Sequence, residues 1–193
     1  ASDTSATSWR ALFLKYLYRE YHPKYHCQVS EMMGGIGACE SYVAAFTLCR
    51  NITPHNPDLA LIEFCVNDRG APDKALVQKG MEGIVRQLLA AKDRCDPMII
   101  GAGCRPGTDA NGPEGCVDQT LHRQIAEYYR IPFVDVQGYI HRTIKERGQT
   151  WDDVSIEFVK NDSVHLNDYG SRLAFEAIRE CFERNVALFR EGK

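Results

Sequence analysis

Short apolar runs alternate with longer stretches of helical period, and this alternation constrains the fold more than any other feature. "CQVSEMM" (27–33), "PDLALIEFCV" (57–66), "PMIIGAG" (97–103) and "IPFVDV" (131–136) have strand length. The second and third are close to continuously apolar, as strands buried on both faces are. The stretches "ESYVAAFTLC" (40–49), "DKALVQKGMEGIVRQLLAAK" (73–92), "VDQTLHRQIAEYY" (117–129), "YIHRTIKERG" (139–148) and residues 168–189 read as helices. Ahead of the first strand, Ser8 is placed to cap a helix over 9–21. Trp9, Leu12, Phe13, Tyr16 and Leu17 recur there at helical spacing, and Pro23 is the expected stop. Strands alternating with helices predict an α/β fold, a three-layer α/β/α arrangement with a central parallel sheet. No strand precedes Trp9, so either the fold starts with a helix or its first strand lies upstream of Ala1.

A chain of 193 residues can hold one domain with a full core and is short for two. With 44% hydrophobic and 25% charged residues it has the make-up of a soluble globular protein. A net charge of -3 gives no electrostatic case for nucleic acid or an anionic membrane as partner. No apolar run approaches the length of a membrane span, and no charged-then-apolar leader is visible, although the abrupt Ser/Thr-rich start is compatible with a leader having been removed. The eight cysteines include no Cys-x-x-Cys pair, so a zinc knuckle or a redox dithiol is not expected. Scattered through apolar runs, they read as buried thiols of a cytoplasmic protein. Were the protein secreted, Cys104 and Cys116, which flank a Gly/Pro-rich loop, would be the pair to join. His22, His26, His55, His122 and His141 are dispersed, with no two at i,i+4, and read as surface or core residues. No metal and no organic cofactor is expected.

In an open parallel sheet, ligands bind beyond the carboxyl ends of the strands. Three polar or glycine-rich stretches fall at such places: "MGGIGACES" (33–41), "CVNDRG" (65–70) and "NDSVHLNDYG" (161–170). Together they offer a backbone-amide turn, an asparagine and an Asp/His pair, which are parts suited to acyl transfer. Ester cleavage needs a nucleophile, a base to take its proton, a group to orient that base, and donors for the oxyanion. His165 fits the base. Asp162, one helical turn away, fits the group that holds the imidazole in its working tautomer. Asn67 offers an amide NH2, and the turn at 34–38 offers backbone N–H, for the oxyanion.

These stretches resemble the SGNH (GDSL-type) serine hydrolases, whose four sequence blocks occur in fixed chain order. "CVNDRG" is similar to the block that carries the oxyanion asparagine, with Cys65 where the family often has glycine. "DSVHLN" is similar to the final Asp-x-x-His block, matching Asp162 and His165. "GGIGACES" resembles the block whose backbone amide joins the oxyanion hole. With Ser41 on that block's serine or threonine, Ala38 falls on its glycine and Gly37 just before it, leaving the donor open between Gly37 and Ala38. "SWRALFLKYL" resembles the first helix after the nucleophile block. The resemblance therefore implies a flavodoxin-like single domain, with the nucleophilic serine and its strand upstream of Ala1. Ser2, Ser5 and Ser8 are poor substitutes, since none follows a strand. The implied function is hydrolysis of a carboxylic ester through an acyl-enzyme, on a short-chain or acetylated carbohydrate substrate, with no cofactor. The alternative is a catalytically inactive SGNH-like domain that binds a glycan or ester ligand.

Blander readings stand beside these. Asp162-x-x-His165 alone is good turn chemistry, and so is Asn67-Asp68. Asp68 is expected to cap the following segment and is given no catalytic role. "GGIG" lacks the full G-x-G-x-x-G spacing of a dinucleotide-binding turn, and no acidic residue ends the next strand. Glu63, inside an apolar run, needs a partner if it is buried. Arg69 and Arg105 are expected on loops at the rim of the cleft, solvated by default. Asn161-Asp162-Ser163 is formally a glycosylation sequon, expected to be unused.

Overall fold

The computed structural model of the chain describes residues 6–91, 95–110, 112–156 and 163–192. The elements run α1 (Trp9–Tyr25), α2 (Ser41–Asn51), β1 (Leu59–Ile62), α3 (Cys65–Asp68), α4 (Lys74–Leu89), β2 (Asp96–Ile100), α5 (Thr120–Tyr129), β3 (Phe133–Val134), α6 (Val136–Glu146) and α7 (Asp168–Arg190). Contacts gather into two compact units, residues 34–137 and residues 6–33 with 138–192.

The first unit contains the sheet. β1, β2 and β3 are parallel and adjacent in that order, with Leu59 opposite Asp96 and Ile62 opposite Ile99. Ile99 and Ile100 then face Phe133 and Val134. Parallel neighbours need a crossover, and α4 and α5 provide them. Along α4, Val77, Gly80, Met81, Ile84, Val85 and Leu88 are buried. Their spacing of three and four residues turns one helix face to the core. Met81, Ile84, Val85 and Leu88 pack with Ile62, Ile99, Ile125 and Ala126 in one apolar cluster. Asp73 starts α4 by accepting the N–H of Ala75 and of Leu76 at 2.9 and 3.3 Å, satisfying donors the first turn leaves open.

The second unit contains α1 and α7, joined by aromatic rings. Phe13 meets Phe182 edge-on at 5.5 Å, and Tyr16 meets Phe175 at 6.2 Å. Ser8 caps α1 as expected, its Oγ accepting the Ala11 N–H at 3.3 Å. Helix α1 does not stop at Pro23, which lies inside it. Proline removes one N–H and crowds the preceding turn, but the last turn is held by ring stacking along the helix and by its cap. Tyr21 stacks on Tyr25 and Tyr18 on His22, and His26 closes the helix in a left-handed conformation with its N–H on His22 O at 2.8 Å.

Two other expectations also differ. Residues 27–33 form no strand, because no ladder among the described residues includes them, and a strand exists only by pairing. The apolar run at 57–66 is a strand only to Ile62. Its end turns into one helical turn, Cys65–Asp68, so Asn67 sits on a helix and not at a strand tip. The expected α/β class with a parallel sheet is what the structure contains.

Candidate active site

Asn67 and the Gly37–Ala38 turn, 30 residues apart in sequence, come together in the first unit. The Asn67 side-chain amide donates from Nδ2 to the carbonyl of Cys39 at 2.9 Å. Cys39 directly follows the turn, whose residues 37 and 38 are solvent-exposed. Ala38 holds φ of 53°, a left-handed backbone that disfavours any side chain by about 1–2 kcal/mol. Gly37 does not need its freedom: its φ is not positive, and a Cβ there would meet nothing within 4 Å. The strained position is therefore the alanine, where the family block puts glycine. Helix α2 begins only at Ser41, so the glycines do not open a helix as a dinucleotide-binding turn would.

Asp68 secures the same place from below. It is 2% exposed, and its Oδ1 accepts the Ser41 backbone N–H at 2.9 Å. Its Oδ2 lies 3.0 Å from Nε2 of His122, itself 2% exposed. From the sequence, Asp68 is expected only to cap the following segment and His122 to be a core or surface residue. It is a core residue, and the readable signal was its spacing with Ile125 and Ala126 on the buried face of α5. Gln119 and Gln137 hold the loop after β2 in a similar way. Gln119 donates to Gly101 O at 2.9 Å. Gln137 exchanges two bonds of 3.0 Å with the Val117 backbone.

Burial makes the neighbours of Asn67 poor nucleophiles. Burial pushes the Cys65 thiol well above its ordinary range, with the nearby Glu63 and Asp68 carboxyls adding to the effect. Burial also raises Cys39, assisted by Glu40. A thiol held protonated is a poor nucleophile. Ser41 is fully buried, and its Oγ points to Val77 O at 3.4 Å. Glu63, half-buried, has its carboxyl raised by desolvation and partly relieved by the Val66 N–H at 3.4 Å. Arg69 and Arg105, expected as rim residues, are half-buried on their loops.

His165 belongs to the second unit, and its side chain is exposed. Its backbone is fixed on both sides. Ile156 N–H donates to His165 O at 3.2 Å and Asn167 N–H to Val154 O at 2.9 Å, closing an antiparallel bridge between Ser155 and Leu166. Asn167 then caps α7, its Oδ1 accepting the Gly170 N–H at 2.9 Å, while its Nδ2 donates to Asp153 O and Ser155 O. Gly170 is required by space: a Cβ there would lie 2.3 Å from Val154 O. Asp162 and the sequon residue Asn161 lie outside the described residues. No group of three or more potential metal ligands occurs among the described residues, and no described helix is long and apolar enough to cross a membrane.

Residues 4–173 match the family described as GDSL-like Lipase/Acylhydrolase. No curated protein sequence matches the chain. Among solved structures, the fold is similar to a two-domain esterase (CEX) active on acetylated mannans, with a TM-score of 0.76 and 20% identity over 93% of this chain. The match spans 43% of that esterase, so the chain corresponds to less than half of its length. It is also similar to Axe2, an acetylxylan esterase from Geobacillus stearothermophilus, at TM-score 0.67 and 15% identity over 90% of this chain and 80% of that one. An acetyl xylan esterase, AlAXEase, aligns at TM-score 0.66 and 16% identity over 92% and 91% of the two chains.

Proposed function

Because the chain belongs to the GDSL-like lipase/acylhydrolase family, whose members hydrolyse ester bonds, we propose that it is a serine esterase that removes short acyl groups, acetyl above all, from a carbohydrate. In this reading Asn67 Nδ2 and a backbone N–H of the Gly37–Ala38 turn donate to the oxyanion of the tetrahedral intermediate. Nδ2 carries two hydrogens and gives one to Cys39 O, leaving the second for substrate. His165 takes the proton of a nucleophilic serine and returns it to the leaving hydroxyl, and Asp162 orients the ring and stabilises it once charged. The nucleophile is a serine in a segment N-terminal to Ala1, and the whole forms one SGNH-type domain. Water then releases acetate from the acyl-enzyme by the same base. No metal or cofactor takes part in this scheme.

The observation that carries the reading is the part-buried bond of 2.9 Å that joins Asn67 to the residue after the turn, so that a half-buried side-chain donor lies next to a turn whose residues 37 and 38 are exposed. The acetylated mannans and acetylxylan named for the similar structures support the substrate class. The test is acetate release from acetylated xylan and mannan, and hydrolysis of p-nitrophenyl acetate, by the full-length protein and by His165→Ala. Loss of at least about a hundredfold in kcat for the variant is expected of a general base. Equal rates remove His165 from the mechanism, and binding of acetylated oligosaccharide without turnover identifies a binding domain instead.

A further inference from the structure

Asp68 and His122 are a buried polar pair that the scheme above leaves without a role. They sit on α3 and α5, each 2% exposed, with Oδ2 and Nε2 3.0 Å apart. A carboxylate only accepts, so the ring donates from Nε2. Nδ1 of His122 is shut off from solvent and has no hydrogen-bond partner among the described residues. Burying an imidazole with one nitrogen idle is unfavourable compared with a hydrocarbon of like size, so packing alone does not account for His122.

What the pair does is visible on the other side of the carboxylate. Oδ1 accepts the Ser41 N–H at 2.9 Å, while the adjacent Asn67 donates to Cys39 O, also at 2.9 Å. Two consecutive side chains of α3 thus tie down two residues that follow the Gly37–Ala38 turn. The tie through Asp68 is direct to the start of α2, and His122 fixes the rotamer of Asp68 from α5. A carboxylate whose second oxygen were unbonded would be free to rotate away from Ser41. We infer that Asp68 and His122 are positioning residues for the oxyanion donors: they set the spacing between the Asn67 amide and the backbone of the turn without touching substrate. The inference rests on the esterase reading for its catalytic consequence, but the clamp itself does not.

Two variants separate this from simple core packing. In H122Q the amide nitrogen reaches about where Nε2 of the ring lies, and in H122N it falls short. Hydrogen exchange at the Ser41 amide and kcat and KM for p-nitrophenyl acetate are measured for both and for the wild type, with rates scaled to the folded fraction. H122N is expected to speed Ser41 exchange at least about tenfold relative to amides of α7, and to lower kcat on the order of tenfold with KM within about twofold, since the lost geometry matters in the transition state. H122Q is expected to return both to within about threefold of wild type. H122L, which keeps volume without a donor, replaces H122N if that protein does not fold. Wild-type Ser41 exchange and wild-type kcat in H122N or H122L overturn the inference, and so does faster exchange spread evenly over the molecule. If the wild type hydrolyses no ester, the esterase reading falls, and Ser41 exchange alone decides whether the clamp exists.

Discussion

Replacing Gly80 by alanine tests how tightly α2 is held against α4, and with it the seat of Ser41. A Cβ at Gly80 would lie 2.5 Å from both N and Cα of Tyr42 and 2.9 Å from the carbonyl carbon of Ser41. Ordinary carbon contacts are about 3.5–4 Å, and the obstructing atoms are backbone, which cannot rotate aside. The start of α2 must retreat by about 1 Å. That stretches the Ser41 N–H bond to Asp68, now 2.9 Å, past the range in which such a bond counts. Losing a bond to a charged group removes about 1.5–3 kcal/mol, and overpacking adds about 1–3 kcal/mol. Alanine's better helix propensity returns only about 1 kcal/mol. The expected net loss is about 1.5–5 kcal/mol, or roughly 3–20 °C in Tm for a chain of this size. Gly83, one turn on, is the control: its Cβ would sit 3.4 Å from Cβ of Ala45, an ordinary contact. Gly83→Ala is expected to raise Tm slightly through propensity. Calorimetric melts of the two variants decide the matter. A Gly80→Ala protein as stable as wild type would refute the close approach and the reasoning built on it.

Three further outcomes are expected. Ala38→Gly relieves a left-handed alanine and should raise stability by about 1 kcal/mol in a denaturant melt, and a loss of stability would mean the turn does not hold that backbone. Gly170→Ala puts Cβ 2.3 Å from Val154 O, so it should open the bridge that fixes His165 and lower both Tm and esterase kcat, although helix propensity alone favours the change by about 1 kcal/mol; an unchanged melt would contradict the packing of that turn. Glu63→Gln should stabilise the protein increasingly as pH rises. The folded-state value of Glu63 is raised by burial, so the native state holds its proton more tightly than the unfolded chain, and the stability this confers is full below the ordinary carboxylate range and lost as pH climbs through the raised value. Melts across pH 4–8 should show the gap between variant and wild type widening with pH, and a narrowing gap would reverse the assignment.

The parts of the fold legible in the sequence are those specified locally. Helix α4 announces itself through Val77, Met81, Ile84, Val85 and Leu88 at helical spacing, and β2 through a continuous apolar run. The missing strand at 27–33 was not legible, since its local pattern suits a strand and only the lack of a ladder partner decides otherwise. The helical turn at Cys65–Asp68 is hidden for a related reason: an apolar run reads the same whether its last residues stay extended or coil. At the site, the asparagine and the glycine-rich turn were readable as short words, and the structure adds their contact through Cys39. The Asp68–His122 pair joins positions 54 apart in sequence, a relation that only the crossing of α5 near α3 creates. The alanine that occupies the strained turn position is visible in the sequence, but its positive φ is not.

The claim at the centre of this account is that Asn67 donates to the oxyanion, and kcat for acetyl-ester hydrolysis by Asn67→Ala addresses it most directly. Asn67→Ala is expected to lower kcat about 10²–10³-fold at nearly unchanged KM, the effect of removing one oxyanion donor, in a protein whose fold is intact by circular dichroism. A folded Asn67→Ala enzyme that turns over substrate at the wild-type rate would contradict it.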